Sequence, residues 1–244
     1  MPSRQIHMNM KNAEYEKMLE VVTLTKNFIR QQIDLGFDEV YTTGKVKKIA
    51  KQKDDGFVTT SLEDFRQQIK NCTKCRLGFT RTKFVFGAGN PEAKLMFIGE
   101  GPGREEDLQG EPFVGAAGKL LDNMLKAIHL TREEVYIANM VKCRPPENRD
   151  PAPDEIETCK PYLLQQIKMI RPQIICALGR ISAQSLLQTK SSLGQLRGRF
   201  HDFMGIRFMV TYHPAALLRY VTYKKFAWED LKFLRKEYDK LIKS

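Results

Sequence analysis

From residue 94 onward, short apolar runs alternate with longer segments of helical period, and this alternation restricts the fold more than any other feature of the chain. Lys94-Leu-Met-Phe-Ile98 reads as a buried strand, and Gly115–Ile128 as a helix through Leu120, Leu121, Met124 and Ile128. The pairing recurs in Val135–Asn139 with Asp154–Ile170, and in Ile174–Gly179 with Ser182–Leu187. Phe208–Tyr212 is the fourth strand, and Phe226–Ile242 a closing amphipathic helix. Strands joined through helices run parallel and are covered on both faces, so the pattern predicts a three-layer α/β/α domain around a mostly parallel four-stranded sheet. In such sheets ligands sit beyond the carboxyl ends of the strands, and the unusual residues of this chain collect there.

Upstream the pattern changes. Apolar positions between Asn12 and Leu35 recur at helical spacing, Gly36 is a natural stop, and the Lys-rich stretch Lys45–Asp55 reads as a linker or surface turn. Ser61, with Asp64 three residues later, resembles a helix start. The sequence thus divides near residue 60 into a helical N-terminal extension, 1–60, and a main domain, 61–244. No apolar run approaches the roughly 18–20 residues that span a bilayer, and none follows a basic start. A cytoplasmic protein with no membrane partner is expected. Forty Lys and Arg against 29 Asp and Glu, a net charge of +11, suit a polyanionic partner, although an ordinary basic surface has the same composition. Residues 1–61 hold 10 basic and 8 acidic side chains, so the extension is no polybasic arm.

Five cysteines without an export signal argue against a disulfide framework. Cys72 and Cys75 form a CxxC, which lets two thiolates face one metal, and Cys143 and Cys159 flank a proline-rich turn. Four thiolates suit zinc or an iron–sulfur cluster alike, the spacing does not choose, and unliganded thiols in the core or at the surface are the other reading. With four ligands used, either centre is structural. Cys176 lies inside an apolar strand and reads as a small buried hydrophobe.

The first strand runs into Gly99-Glu-Gly-Pro-Gly103, whose backbone can approach a ligand closely. Glu100 is a carboxylate at a strand end, available as a general base or as a turn cap. Phe113, between a proline and glycines, is either a stacking platform for a base or a core aromatic. Asn139 ends the second strand; its amide can match the O4 and N3–H edge of uracil, or close a turn. His213 follows the last strand and can donate toward a negatively charged leaving group. Leu217 and Leu218 are helix core or an apolar wedge, and Arg219 a phosphate contact or a solvated charge. Gly179 and Arg180 open a helix whose amides favour a phosphate.

Together these segments resemble the family-4, iron–sulfur branch of the uracil-DNA glycosylase superfamily. The resembling stretches are Asn71–Leu77, Gly99–Gly103 with Glu106-Asp107, Pro112–Gly115, Asn139–Pro146 and His213–Arg219. They keep the family's order and cover about residues 62–240. The resemblance implies a monomeric base-excision repair enzyme that hydrolyses deoxyuridine's N-glycosidic bond in single- or double-stranded DNA, leaving an abasic site. It implies a [4Fe–4S] cluster on Cys72, Cys75, Cys143 and Cys159. It also implies that Glu100, Gly101, Pro102, Phe113, Asn139 and His213 bind uracil, with Phe113 stacking, Asn139 reading the edge and His213 near O2. Catalysis falls to Glu100, which would hold the water, and His213; DNA contacts fall to Gly179, Arg180, Leu217 and Arg219, with Leu217 as wedge. The family-4 pattern has Gly101 where the better-known first family carries an aspartate. The alternative is a noncatalytic iron–sulfur DNA-binding protein on the same scaffold.

Overall fold

The computed structural model describes residues 61–243, the backbone of 39–42 and 45–48, and the helical positions Thr23 and Thr25. The chain separates into two compact units, residues 1–57 and 58–244. In the first, β1 (Glu39–Thr42) pairs antiparallel with β2 (Lys45–Lys48). The start of the Lys-rich stretch is therefore a strand, not a linker: Val40, Tyr41, Thr42 and Val46 carry β propensity that the lysines mask. Apart from Thr23 and Thr25, the helix expected over 12–35 lies outside the described residues.

The second unit begins with α1 (Leu62–Ile69), α2 (Leu77–Thr80), β3 (Ala88–Gly89), β4 (Leu95–Gly99), α3 (Arg104–Gln109), α4 (Ala116–Ala127) and β5 (Tyr136–Asn139). It continues with α5 (Pro153–Ile170), β6 (Ile174–Leu178), α6 (Arg180–Leu187), α7 (Leu193–Leu196), β7 (Phe200–Phe203), β8 (Ile206–Thr211), α8 (Pro214–Arg219) and α9 (Tyr223–Lys243). The sheet order is β3-β5-β4-β6-β8-β7. The four strands expected from sequence, β5, β4, β6 and β8, are its parallel centre. Two antiparallel edges, β3 and β7, were not anticipated. One has two residues and the other reads Phe-His-Asp-Phe, so neither carries a clear apolar period.

Every residue of β4 and β6 is buried, as expected of strands covered on both faces. Leu95, Phe97, Ile174 and Cys176 share one core with Leu121 and Leu125 of α4 and Leu231 and Leu234 of α9. Tyr136 points to the opposite face from Ile137, and there its hydroxyl accepts a hydrogen bond from Gln166 of α5 at 3.3 Å. Helices thus cover both sides. After β4 the chain visits β5 on one flank and then β6 on the other. That reversal opens a crevice at the carboxyl ends of the strands. Among the described residues no helix is long and apolar enough to cross a membrane.

Candidate active site

A cavity of about 540 Å³ opens in that crevice, and Glu100, Gly101, Pro102, Phe113, Asn139 and His213 all line it. Glu100 directly follows β4, Asn139 ends β5, and His213 follows β8. The Phe113 and His213 rings stand 5.5 Å apart between centroids, tilted by 31°. Gly99 makes the convergence possible. A Cβ there would lie 2.6 Å from Phe113 Cζ and collide with Asn139 Oδ1.

Phe113 is buried and has a left-handed backbone, φ 55°, a conformation that costs a bulky residue about 1–3 kcal/mol. Charged side chains hold it from both directions. Arg132, paired with Asp122 at 2.5 Å, donates to the carbonyls of Pro112 (3.1 Å) and of Phe113. Glu106 accepts the N–H groups of Val114 and Gly115, each at 3.0 Å, and that of Gly103 at 3.1 Å. The same carboxylate therefore ties the Gly-rich turn after β4 to the loop that carries the ring. The absence of a side chain at Gly118 lets the Phe113 carbonyl rest directly on α4.

Asn139 is 2% exposed, and its Oδ1 has no hydrogen-bond partner. A buried acceptor left unsatisfied costs about 1–3 kcal/mol, so this atom is poised for a donor from the cavity. Its backbone is fixed from behind. Fully buried Lys142 donates from Nζ to the Asn139 carbonyl at 3.0 Å and to Gln166 Oε1 at 2.5 Å. Burial lowers the Lys142 ammonium to about 8.

His213 Nδ1 accepts the N–H of Ala215 at 3.2 Å, at the start of α8. The ring proton therefore sits on Nε2. Burial, with Arg219 adding to it against the opposing pull of Glu106, lowers the imidazole to about 4, so it is a neutral donor at physiological pH. Glu100 moves the other way: burial and then Asp150 raise its carboxyl to about 7, while Arg180 opposes them. Asp150, on the cavity wall, pairs with Arg180 at 2.8 Å.

The residues expected to touch DNA are distributed unevenly. Arg219 lines the cavity. Arg180 is engaged by Asp150 outside the cavity wall, and Gly179 backs onto the His213 Cβ. Leu217, expected as the wedge, is 2% exposed and packs into the main core. One residue on, Leu218 is 47% exposed. A step of about 100° around a helix separates the two directions.

Cys72 and Cys75 are half-buried, Cys143 and Cys159 are buried, and none forms a disulfide. Donors surround the sulfurs: Lys142 N–H on Cys159 at 3.3 Å, Arg81 on Cys143 at 3.2 Å, and the Tyr162 hydroxyl on Cys72 at 3.1 Å. Cys72 and Cys75 both act electrostatically on Cys143, and Cys143 and Cys75 on Cys159. Burial chiefly raises the Cys143 and Cys159 thiols, to about 11 and about 12. Among the described residues no three His, Cys, Asp or Glu side chains stand at metal-holding spacing. The donor set itself, N–H and O–H groups aimed at three of the four sulfurs, suits thiolates. Glu155 braces this region: its buried carboxylate accepts from Arg76 (2.6 Å), from Arg149 (2.6 and 2.8 Å) and from the Ala152 N–H (2.7 Å). Chiefly through Arg149, its carboxyl falls to about 2.

The sequence pattern of the uracil DNA glycosylase superfamily matches residues 86–232. The chain belongs to that superfamily. The type-4 uracil-DNA glycosylase of Archaeoglobus fulgidus is 47% identical over 166 residues, covering 65% of this chain and 83% of the relative. That of Saccharolobus solfataricus is 46% identical over 181 residues, 70% of this chain and 84% of the relative. That of Thermotoga maritima is 44% identical over 160 residues, 65% and 83% respectively. Within this uracil-DNA glycosylase superfamily domain, sequence reasoning gave no role to Arg132 or Asp150, quoted Lys142 and Glu106 only as parts of motifs, and read Gly99 as a close approach to a ligand rather than to Phe113 and Asn139. Glu106 carried a faint local signal, an acid three residues beyond Gly103 in the manner of a capping box. Arg132, Lys142 and Asp150 had none, since their partners are distant in sequence or are backbone groups.

Proposed function

We propose that the chain removes uracil from DNA as a type-4 uracil-DNA glycosylase, hydrolysing the N-glycosidic bond of deoxyuridine and leaving an abasic site. The observation that carries this reading is the unpartnered Asn139 Oδ1, buried beside Phe113 in a cavity that His213 also lines. Uracil stacked on Phe113 presents N3–H to that oxygen and O4 to the amide nitrogen of Asn139. Cytosine offers the reverse pattern at those two atoms, an acceptor at N3 and a donor at C4, and so matches neither.

The base must leave the helix to reach the cavity, at a cost of a few kcal/mol. Stacking and the Asn139 pairing offset that cost, and Leu218 is the apolar side chain placed to fill the gap. When the C1′–N1 bond breaks, its electron pair leaves with uracil and charge gathers on O2. The neutral His213 Nε2–H donates to that charge without giving up its proton. One such donor is worth about 2.7–4 kcal/mol. Water adds to C1′ and its proton passes to the Glu100 carboxylate.

Cys72, Cys75, Cys143 and Cys159 would hold a [4Fe–4S] cluster. Such a group, with all its iron sites ligated, supplies a structural crosslink between the segment before the sheet, the loop after β5 and α5. The test is direct. Purified protein is incubated with single- and double-stranded oligonucleotides carrying one uracil, then treated with alkali, beside thymine and cytosine controls. Strand cleavage at uracil alone is expected; none at uracil refutes the reading.

A further inference from the structure

Beyond the cavity rim, residues 218–222, the end of α8 and the turn into α9, form an exposed run. Tyr220 is 55% and Val221 67% exposed. Tyr220 is nonetheless fixed: its N–H donates to the Ala216 carbonyl at 2.8 Å, and Ala216 lines the cavity. Its ring lies 5.4 Å from that of Tyr223, which stacks on Tyr212 at 4.7 Å and 21°. The Arg197 guanidinium caps this column 5.7 Å from the Tyr212 ring and is held by Asp230. A supported aromatic column thus rises from the domain to the surface and ends in an exposed phenol ring. Arg219, Lys224 and Lys225, all exposed, lie within five residues of it along the chain.

Helix α8 spans the interval between His213 and Tyr220. The seven residue steps between them rise about 10.5 Å, more than the distance between neighbouring nucleotides in an extended strand. We propose that Tyr220, backed by Tyr223 and Tyr212, is a stacking shelf for the base adjacent to the extruded uridine. Arg219, Lys224 and Lys225 take the phosphates on either side. The occupant is the substrate strand itself, so the shelf rests on the uracil-releasing reading above. Charge complementarity and continuity with the cavity both favour nucleic acid: an exposed aromatic in a chain segment that also carries three exposed cations suits a base bracketed by phosphates. Leu218 occupies the space left in the duplex, whereas Tyr220 grips a neighbour, a grip that works without a complementary strand.

Single-turnover kinetics on short single-stranded uracil oligonucleotides test this with the full-length protein. Three substrates are compared: intact, and with an abasic analogue in place of the 5′ or the 3′ neighbour of uracil. Y220A is expected to raise the half-saturating concentration about tenfold while leaving the maximal rate and inhibition by free uracil within about twofold. Y220W restores binding. Removing the neighbouring base on one side should cost the wild type the same factor and cost Y220A nothing more. Equal losses in both proteins overturn the shelf, as does weakened inhibition by free uracil in Y220A. If the wild type releases no uracil from the intact strand, the functional reading falls first and the shelf with it.

Discussion

Phe113 and Tyr220 are both aromatic residues placed to meet a base, and they are built in opposite ways. Phe113 is 5% exposed, held in a left-handed backbone, and its loop is gripped by Arg132 on one side and Glu106 on the other. Tyr220 is 55% exposed and supported by two backbone bonds, its N–H to the Ala216 carbonyl and its carbonyl from the Tyr223 N–H, and by the ring beneath it. The first is a preorganised wall, its conformational cost met during folding. The second is a surface that can follow a flexible strand. Disturbing the wall should therefore alter the rate and stability of the enzyme, and disturbing the surface its grip on DNA.

The sharpest break in that contrast comes from the pocket. His213→Ala should lower single-turnover cleavage about 100- to 1,000-fold, with oligonucleotide affinity changed only a few-fold. Equal losses in rate and affinity would remove His213 from the chemistry. Glu106→Gln keeps the shape of the side chain but weakens its hold on three backbone N–H groups. It should slow cleavage about tenfold and lower unfolding stability by about 1–3 kcal/mol, whereas Y220A leaves the melting temperature unchanged. A Glu106→Gln protein that melts normally and binds poorly would reverse the assigned roles.

The rate should also depend on pH through Glu100, which must be ionised to accept a proton. With its carboxyl raised to about 7, cleavage rises as pH climbs through that value. His213, lowered to about 4, adds no limb until far more acid. Asp150 contributes to the raised value, so Asp150→Asn moves the limb to lower pH, and Arg180→Gln, which removes an opposing charge, moves it higher. A limb indifferent to both would exclude Glu100 as the base. The smallest effect is expected at the tip: Leu218→Ala should weaken cleavage of duplex substrate a few-fold and of single strands less.

The four parallel strands, the longer helices between them and the strand-end residues of the cavity were legible in the sequence, whereas the short helices α3 and α7 were not. Their signals are local: apolar runs of five residues, helical periods, and glycine next to a charged or amide side chain. Other features were not legible. Leu217 and Leu218 are identical in type, and only the rotation of α8 against α4 and the core sends the first inward and the second outward. The edge strands β3 and β7 exist because a neighbour offers unpaired backbone groups, not because their own residues demand it. The clamp on Phe113 joins Arg132 to carbonyls 19 and 20 residues away, a separation with no sequence period.

The α/β alternation, the superfamily and the residues that arrive at the strand ends could be read without coordinates, because each is encoded in the order of neighbouring residues. Tertiary structure alone decided that Asn139 Oδ1 is left without a partner, that Asp150 and burial raise Glu100 while His213 is held neutral, and that Tyr220 stands on a column of rings. These properties arise from desolvation and from contacts between distant segments, and both come into being only when the chain has closed around its core.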